Sequence, residues 1–349
     1  MIPRLPHRLR ALCCAGLLFA GASQAAGLPG APAPFDKGGV QIALVGYLFS
    51  GDFPEAYLRG VEKQSRALDV KLRVFDARQQ PASQREMLDQ AIDLGVDGII
   101  VQLGLAETLK DSIARAVAKG IKVVTFDVDV DTPGVTRVEQ DHRQLARLAL
   151  QQAIKDNGTQ FAAGYVYIAG FTPMERRDEI WREVKAANPG IVEKARFGTL
   201  NPPIANSVAD QASAVLRANP DISVIFAPFD EFAKGAKIAV DEAGLGSKVK
   251  IYSADISTAD IQIMKEPNSA WQATAAVNPE AAGAVSVRSL AMRIAGQDPG
   301  ASVQVPPVLI TRQQLLDLEV KNVRDLAHKL PAFAEAADVA RPQWIPLAN

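Results

Sequence analysis

The sequence predicts an α/β protein with two Rossmann-like lobes, each built on a doubly wound parallel sheet. One unit repeats along the chain: an amphipathic helix ends at a glycine and a β-branched strand follows, best seen in residues 114–129 and 239–255. Helix-length segments separate the strands, and parallel strands need such long crossovers. The length of 349 residues, about twice the ~150 of a usual domain, indicates two domains.

The first half of the chain alternates strands with helices. Between the strands, apolar residues recur at the spacing of one helical face, as Leu109, Ile113 and Ala116 do. Gly95 and Gly120 are read as the ends of two of these helices. The predicted strands are residues 40–45, 70–75, 98–101, 121–126 and 135–138.

The alternation restarts near residue 140, which marks the predicted change of domain. Because crossovers between parallel strands are right-handed, helices are expected on both faces of each sheet. Pro306 and Pro307 fall within a predicted second crossing strand near residues 305–311. The other predicted strands are residues 165–168, 224–226, 249–252 and 271–275.

The predicted domains are discontinuous along the chain, and a multi-strand hinge joins the two lobes. A Gly-, Pro- and Ala-rich composition before the first strand indicates a flexible lead-in. The predicted bounds are 1–25 for a signal peptide, 26–39 for the lead-in, 40–140 plus 278–307 for the N-terminal lobe, 141–277 plus 308–328 for the C-terminal lobe, and 329–349 for a C-terminal extension.

The N-terminus has the pattern of a secretory signal peptide. Residues 4–10 are basic, residues 11–22 are apolar, and Ser23 and Ala25 place small residues before a cleavage point after Ala25. A membrane anchor is the alternative, but the apolar run is shorter than the ~20 residues that a span needs. We therefore expect an exported, soluble mature protein.

Composition excludes several kinds of function. Cys13 and Cys14 are the only cysteines and lie in the apolar run, so the mature chain should have no disulfide, no catalytic thiol and no cysteine metal site. The net charge is −1 and there is no basic block, which argues against nucleic acid as a partner. A monomer is expected.

Two aspartates, Asp127 and Asp255, follow predicted strands of different lobes. Ligands of open parallel sheets bind outside the carboxyl ends of the strands, so a ligand should lie between the lobes. No Gly-x-Gly-x-x-Gly follows the first strand, and neither Gly-x-Ser-x-Gly nor a phosphate loop occurs. The sequence therefore predicts a binding protein, not an enzyme, with no cofactor.

A metal site in the first lobe is the alternative for Asp127, Asp129 and Asp131, because carboxylate oxygens bind hard cations. Strand alternation would put all three on one side without the turn that an ion needs. No metal site is predicted, and Asp129 and Asp131 are read as solvated or as hydrogen-bond acceptors near the hinge.

The chain resembles the periplasmic solute-binding proteins of the ribose-binding type, the type I proteins of sugar ABC transporters. No single motif is specific to this family, but the order and spacing of the motifs over residues 40–312 are. The matching segments are residues 42–45, 98–101, 123–127, 170 with 176–177, 226–231 with 235–236, and 278–279.

This resemblance implies capture of a small polar ligand, usually a monosaccharide, by closure of the two lobes about the hinge in the periplasm. The implied partner is the ABC permease of the inner membrane. The alternative is a sensory role, in which the closed form docks on the ectodomain of a chemoreceptor or histidine kinase. The sequence does not distinguish transport from sensing, because both roles would use the same surface of the closed form.

The resemblance also implies ligand-binding residues. Asp127 matches a first-lobe aspartate that accepts bonds from sugar hydroxyls, and Asp255 matches its second-lobe counterpart. Arg177 matches a second-lobe arginine whose planar fork spans adjacent hydroxyls, although a surface pair with Arg176 is the alternative. The other candidates are Tyr47 and Phe53 as aromatic contacts, Gln102 as an amide at a strand end, and Gln140, Phe171, Phe229 and Asn278.

Several positions depart from the family pattern and predict a drier, more aromatic site. Phe229 replaces a ligand-binding asparagine, and it could equally be a core residue. Val128 replaces an arginine, and Val277 a glutamine for which Asn278 could compensate. Buried unpaired hydroxyls cost about 1–3 kcal/mol each. We therefore expect a deoxy-sugar, a small polyol, or a ligand with an apolar or planar part, not an ordinary hexose.

Some prominent residues are assigned no role in binding. Trp181 and Trp271 are expected to pack in the core. His142 follows a helix-capping aspartate and is expected on the surface, so no histidine site is predicted.

Overall fold

The computed structural model of the protein describes residues 27–348. The predicted signal peptide therefore lies outside the described residues. No helix within residues 27–348 is both long and apolar enough to cross a membrane.

Six parallel strands form the first sheet, in the order β11-β5-β4-β3-β1-β2. Their bounds are Gln41–Gly46 for β1, Lys71–Asp76 for β2, Gly98–Gln102 for β3, Lys122–Phe126 for β4, Val135–Gln140 for β5 and Ser302–Val305 for β11.

The second sheet repeats this plan, in the order β12-β10-β9-β8-β6-β7. Five of its strands are parallel, and β12 is antiparallel to β10. Their bounds are Phe161–Val166 for β6, Ile191–Phe197 for β7, Ile222–Ala227 for β8, Lys250–Ala254 for β9, Trp271–Ala276 for β10 and Val308–Thr311 for β12.

Helices cover both faces of the sheets, as predicted. Alternate side chains of a strand point to opposite faces, so Ile42 and Leu44 join one apolar core while Ala43 and Val45 join another. The helices are α1 Asp52–Ala67, α2 Pro81–Asp93, α3 Ala106–Ala118, α4 His142–Asn157, α5 Thr172–Ala187, α6 Ile204–Ala218, α7 Asp230–Glu242, α8 Thr258–Lys265, α9 Pro279–Ile294, α10 Arg312–Asp317, α11 Val323–Lys329 and α12 Pro331–Ala334.

The chain passes between the sheets at three neighbouring places. These lie between β5 and α4, between β10 and α9, and between β11 and β12. The last connection corrects the strand predicted over residues 305–311. Pro306 and Pro307 have no N–H to donate and separate two short strands that belong to different sheets.

Both ends of the described chain pack against the lobes. Phe35, in the segment expected to be a flexible lead-in, is 2% exposed and its ring lies 5.1 Å from that of Trp344. In the expected C-terminal extension, Phe333 joins the core of the second sheet and Ile345 that of the first.

Candidate ligand-binding site

A cavity lies between the carboxyl ends of the two sheets, with about 600 Å³ of unfilled space that includes its opening to solvent. Twelve apolar and five polar side chains line it. The first lobe contributes Tyr47, Leu48, Phe53, Pro54, Leu103, Phe126, Asp127 and Gln140, and the second contributes Ile168, Phe171, Pro173, Met174, Arg177, Leu200, Phe229, Phe232 and Asp255.

Asp127 and Asp255 occupy equivalent places, directly after β4 and β9. Their φ angles are 55° and 74°, in the left-handed region that is uncommon outside glycine but is enriched in aspartate. The backbone N–H of each donates to a carbonyl in the neighbouring strand or its end, Val138 at 3.1 Å and Ala275 at 2.9 Å. The same local turn therefore brings one carboxylate of each lobe to the cavity.

Gln140, at the end of β5, holds Asp127 through two hydrogen bonds. Its backbone N–H donates to Oδ1 at 3.2 Å, and its side-chain Nε2 donates to Oδ2 at 3.0 Å. Burial disfavours the charged form of Asp127, but His142, Gln140 and Arg177 outweigh it and leave the pKa of this carboxyl below its ordinary value. Asp127 is therefore ionised at neutral pH.

Arg177, in the second turn of α5, forms a buried pair with Asp255. Nη1 donates to Oδ2 at 3.1 Å and Nη2 to Oδ1 at 3.3 Å, the planar two-point contact that suits a guanidinium and a carboxylate. Nη1 also donates to the carbonyl of Pro228. With a side chain only 2% exposed, Arg177 is not a surface residue.

His142 is not on the surface either, which corrects the sequence prediction. It is 1% exposed, and its ring nitrogens face Asp127 Oδ1 at 2.8 Å and Arg177 Nη2 at 3.3 Å. The prediction relied on the helix-capping aspartate that precedes His142. It failed because the partners of the His142 ring, Asp127 after β4 and Arg177 in α5, are distant in sequence.

Two polar atoms of lining residues are buried without a hydrogen-bond partner, Gln140 Oε1 and Arg177 Nε. Buried polar atoms in proteins are nearly always paired. One of these atoms is an acceptor from the first lobe and the other is a donor from the second. A hydroxyl both donates and accepts, so a hydroxylated ligand matches this pair.

Apart from Tyr47, the rest of the lining is apolar, and five of its twelve side chains are phenylalanines. Phe229 precedes α7, and its ring meets that of Phe232 edge to face, with 5.2 Å between centroids. Tyr47 and Phe171 come from opposite lobes and have ring centroids 5.4 Å apart. Burial raises the pKa of Tyr47, so its hydroxyl stays protonated and can donate.

Two predicted ligand-binding residues, Gln102 and Asn278, do not line the cavity. Gln102 is 1% exposed, and its Oε1 accepts from the Leu48 N–H at 3.4 Å, so it supports the loop after β1. Asn278 caps α9 through a bond from the Ala281 N–H at 3.2 Å and therefore does not replace the amide that Val277 lacks. The other eight predicted residues are among those that line the cavity.

Sequence reasoning missed most of the apolar lining, for example Leu103, Met174 and Leu200. Leu103 directly follows β3, so its position after a buried strand was the available signal. Met174 lies in the first turn of α5, and Leu200 lies beyond β7, a strand that was not predicted.

Other expectations concern residues around the site. Trp181 and Trp271 are buried in the core, as predicted, and their ring N–H groups donate to Glu193 and Ser253. Asp129 accepts from Arg137 and from Arg176, both at 2.6 Å. Over the described part of the chain, no cluster of three or more histidine, cysteine or carboxylate residues could hold a metal ion.

The fold and the cavity define a two-lobed solute-binding protein that holds a small ligand between its sheets. The chain belongs to the periplasmic binding protein domain family, whose model matches residues 42–298. This confirms the resemblance found in the sequence and the type I fold that it implied.

Curated relatives match most of the chain at low identity. The D-ribose/D-allose-binding protein of Pseudomonas aeruginosa is 26% identical over 244 residues, covering 66% of this chain and 74% of the relative. The D-xylose-binding periplasmic protein of Escherichia coli is 22% identical over 284 residues, covering 76% and 83%.

Two solved structures are more similar. A 5-methylthioribose transporter solute-binding protein from Thermotoga lettingae, in complex with 5-methylthioribose, is 36% identical, covers 88% of this chain and 97% of its own, and has a TM-score of 0.86. A sugar ABC transporter protein from Yersinia enterocolitica is 33% identical, covers 88% and 94%, and has a TM-score of 0.84. This protein is accordingly a solute-binding component of an ABC transporter, and the sensory alternative is not favoured.

Proposed function

We propose that this protein captures a ribose-type sugar with an apolar group in place of a terminal hydroxyl, and that 5-methylthioribose represents this class. The observation that carries the proposal is the mixture of a few polar and many apolar side chains in the lining of the cavity. Asp127, Gln140, Arg177 and Asp255 supply its charged and amide groups, while Tyr47 and twelve apolar side chains form the rest of the lining.

The polar groups suit a ring with few hydroxyls. Carboxylates accept hydrogen bonds from hydroxyls, and the guanidinium donates to hydroxyl or ring oxygens. Much of this capacity is already used within the protein, because Asp127 bonds Gln140 and Arg177 bonds Asp255. Gln140 Oε1 and Arg177 Nε remain unpaired. A hexose would bring more hydroxyls than this set of groups can satisfy.

The apolar lining favours a substituent such as methylthio over hydroxyl. Burial of one CH₂ group stabilises a complex by about 0.8 kcal/mol. A hydroxyl buried without a partner costs about 1–3 kcal/mol. Since about 1.4 kcal/mol changes an affinity tenfold, 5-methylthioribose should bind at least tenfold more tightly than ribose. The similarity to the 5-methylthioribose-bound protein of Thermotoga lettingae supports the same ligand class.

Isothermal titration calorimetry with 5-methylthioribose, 5-deoxyribose, ribose and glucose tests this proposal. We expect affinity to fall in that order. 5-Deoxyribose separates the two effects, because it lacks the hydroxyl but adds no thiomethyl group. Ribose or glucose binding as tightly as 5-methylthioribose would contradict the proposal and indicate an ordinary sugar site.

The proposal also covers the location, the processing and the oligomeric state of the protein in the cell. We infer that the protein acts as a monomer in the periplasm after removal of residues 1–25 and delivers its ligand to an inner-membrane permease. The proposed lobes, residues 40–140 with 278–307 and residues 141–277 with 308–328, are supported by the division of the strands between the sheets. Cell fractionation and N-terminal sequencing of the exported protein test its location and its processing.

A further inference from the structure

His142 lies beneath the cavity, at one of the places where the chain passes between the sheets. It is the first residue of α4, two positions after the end of β5. Its side chain is fully buried and does not line the cavity. Each ring nitrogen nevertheless lies near a charged group that lines the cavity. Asp127 Oδ1 is 2.8 Å away on one side, and Arg177 Nη2 is 3.3 Å away on the other.

In the neutral ring, these two partners determine which nitrogen carries the hydrogen. The carboxylate of Asp127 only accepts, so Nε2 must carry a hydrogen and donate it. The guanidinium of Arg177 only donates, so Nδ1 must present its lone pair. The neutral tautomer with hydrogen on Nε2 satisfies both contacts. A hydrogen on Nδ1 would point at an N–H of Arg177.

His142 thereby joins groups from the two lobes. Asp127 follows a strand of the first sheet. Asp255 follows a strand of the second sheet, and its partner Arg177 lies on α5 of the same lobe. Among the side chains that the structure describes, no other one hydrogen-bonds both Asp127 and Arg177. A continuous line of hydrogen bonds runs from Gln140 through Asp127, His142 and Arg177 to Asp255.

We propose that His142 is a positioning residue of the binding site. As the neutral Nε2–H tautomer, it holds Asp127 and Arg177 in the orientations that receive the ligand and couples them across the two lobes. The proposal rests on the proposed function in that Asp127 and Arg177 are taken to bind the ligand. His142 itself does not touch it.

The tautomer is tested without any ligand. The chain has three histidines, so the ring signals of protein labelled with ¹⁵N-histidine can be assigned by comparing wild type with His142→Gln and His328→Gln. At neutral pH we expect the His142 ring to show a protonated Nε2 and an unprotonated Nδ1. An Nδ1–H tautomer, or rapid exchange between tautomers, would overturn the proposal whatever the ligand is.

The positioning role is tested by calorimetry with 5-methylthioribose. His142→Leu removes both contacts and should weaken binding at least tenfold. His142→Gln restores a donor and an acceptor on one amide, so binding should stay within about threefold of wild type. His328→Gln is the control, because His328 is exposed on α11 and should have no effect.

The outcomes separate the two proposals. His142→Leu binding as tightly as wild type, or His142→Gln binding as weakly as His142→Leu, would contradict the positioning role. If the leucine variant does not fold, the glutamine variant and the tautomer decide the question. If wild-type protein does not bind 5-methylthioribose, the ligand proposal fails and the tautomer alone tests the role of His142.

Discussion

Arg177 carries the only positive charge in the lining of the cavity, as far as the described residues show. Replacing it with alanine removes the unpaired donor Nε and leaves Asp255 buried without its partner. We expect binding of 5-methylthioribose to weaken more than tenfold, or by about 1.4 kcal/mol or more. Removal of one partner of a buried ion pair typically costs about 3–5 kcal/mol of stability, so the melting temperature should also fall.

Calorimetric titration and thermal unfolding of Arg177→Ala measure both effects, and Asp127→Ala should weaken binding by a similar factor. Arg182→Ala on the same helix is the matched control. The Arg182 side chain is 61% exposed and pairs with Asp178, outside the cavity. Unchanged affinity in both Arg177→Ala and Asp127→Ala would mean that the ligand binds elsewhere.

Phe229 offers a test of ligand selectivity at a single residue of the cavity lining. It lines the cavity at the position where the ribose-binding resemblance implies an asparagine. In Phe229→Asn, an apolar contact is lost and a donor–acceptor amide is gained. We expect the ratio of affinities for 5-methylthioribose over ribose to fall at least tenfold, as measured by calorimetry with both sugars. A ratio unchanged in this variant would show that Phe229 belongs only to the core.

Individual site residues were predictable where a strand alone determines their position. Asp127 and Asp255 follow buried strands, and the carboxyl end of a parallel strand is where a ligand site forms. Gln102 also ends a strand, yet its side chain turns to the Leu48 N–H. His142 was misplaced for a related reason, since its role depends on two partners that only the folded chain brings together.

At the scale of elements, the alternation of strands and helices was readable because buried parallel strands are continuous apolar runs. The first strand of the second sheet, β6, was nevertheless placed too late. Its beginning contains Ala162, Ala163 and Gly164, which favour strands weakly, and pairing with β7 and β8 overrides that preference. The edge strand β7 was missed, because its exposed residues interrupt the apolar run.

Helices α7 and α8 enclose a buried carboxyl whose ionisation opposes folding. Asp260 is 0% exposed, and its nearest cation, Lys234 Nζ, lies 3.7 Å from Oδ1. Burial raises the pKa of Asp260 to about 6, although Lys234 acts in the opposite direction. The folded state therefore binds this proton more tightly than the unfolded state does, and stability should fall as the pH rises from about 4 to about 6.

Asp260→Asn tests this expectation, because an amide cannot ionise. Relative to wild type, the variant should gain stability as the pH rises through that window, by up to about 3 kcal/mol at neutral pH. Urea unfolding at several pH values gives the difference in free energy. Asp210→Asn, at an exposed position of α6, is the control and should show no such change. A difference between Asp260→Asn and wild type that does not vary with pH would contradict the assignment.

For the whole molecule, the C-terminal segment adds a fourth connection between the lobes. Phe333 packs in the core of the second sheet, and Ile345 in that of the first. Further along this segment, the Pro346 carbonyl accepts a hydrogen bond from Gln64 Nε2 at 2.9 Å. The sequence could not show this path, because an Ala- and Pro-rich composition carries no periodicity and the ring that meets Trp344 is Phe35, near the other end of the chain.

The two lobes also touch directly, outside the cavity. Asp52, at the start of α1, accepts from Lys234 Nζ of α7 at 2.8 Å and from the Ser257 hydroxyl at 3.0 Å. Asp129, which follows β4 of the first sheet, also pairs with Arg176 of α5. Because these contacts join the two lobes, we expect them to stabilise this arrangement relative to one in which the lobes have moved apart.

Asp52 allows closure to be tested apart from ligand contact, because it does not line the cavity. In Asp52→Ala the closed arrangement loses two hydrogen bonds, while Lys234 keeps Glu231 as a partner and the second lobe stays intact. A partly exposed ion pair contributes up to about 1 kcal/mol. The apparent dissociation constant scales inversely with the competent fraction, so 5-methylthioribose should bind up to about fivefold more weakly.

Closure is followed by small-angle scattering and affinity by calorimetry. The radius of gyration of ligand-free Asp52→Ala should be larger than that of wild type, and saturating ligand should remove the difference, because ligand contacts hold the lobes together. Glu55→Ala, one turn along α1 at an exposed position, should leave both quantities unchanged. Equal affinities in Asp52→Ala and wild type would mean that the other contacts between the lobes and the ligand alone determine closure.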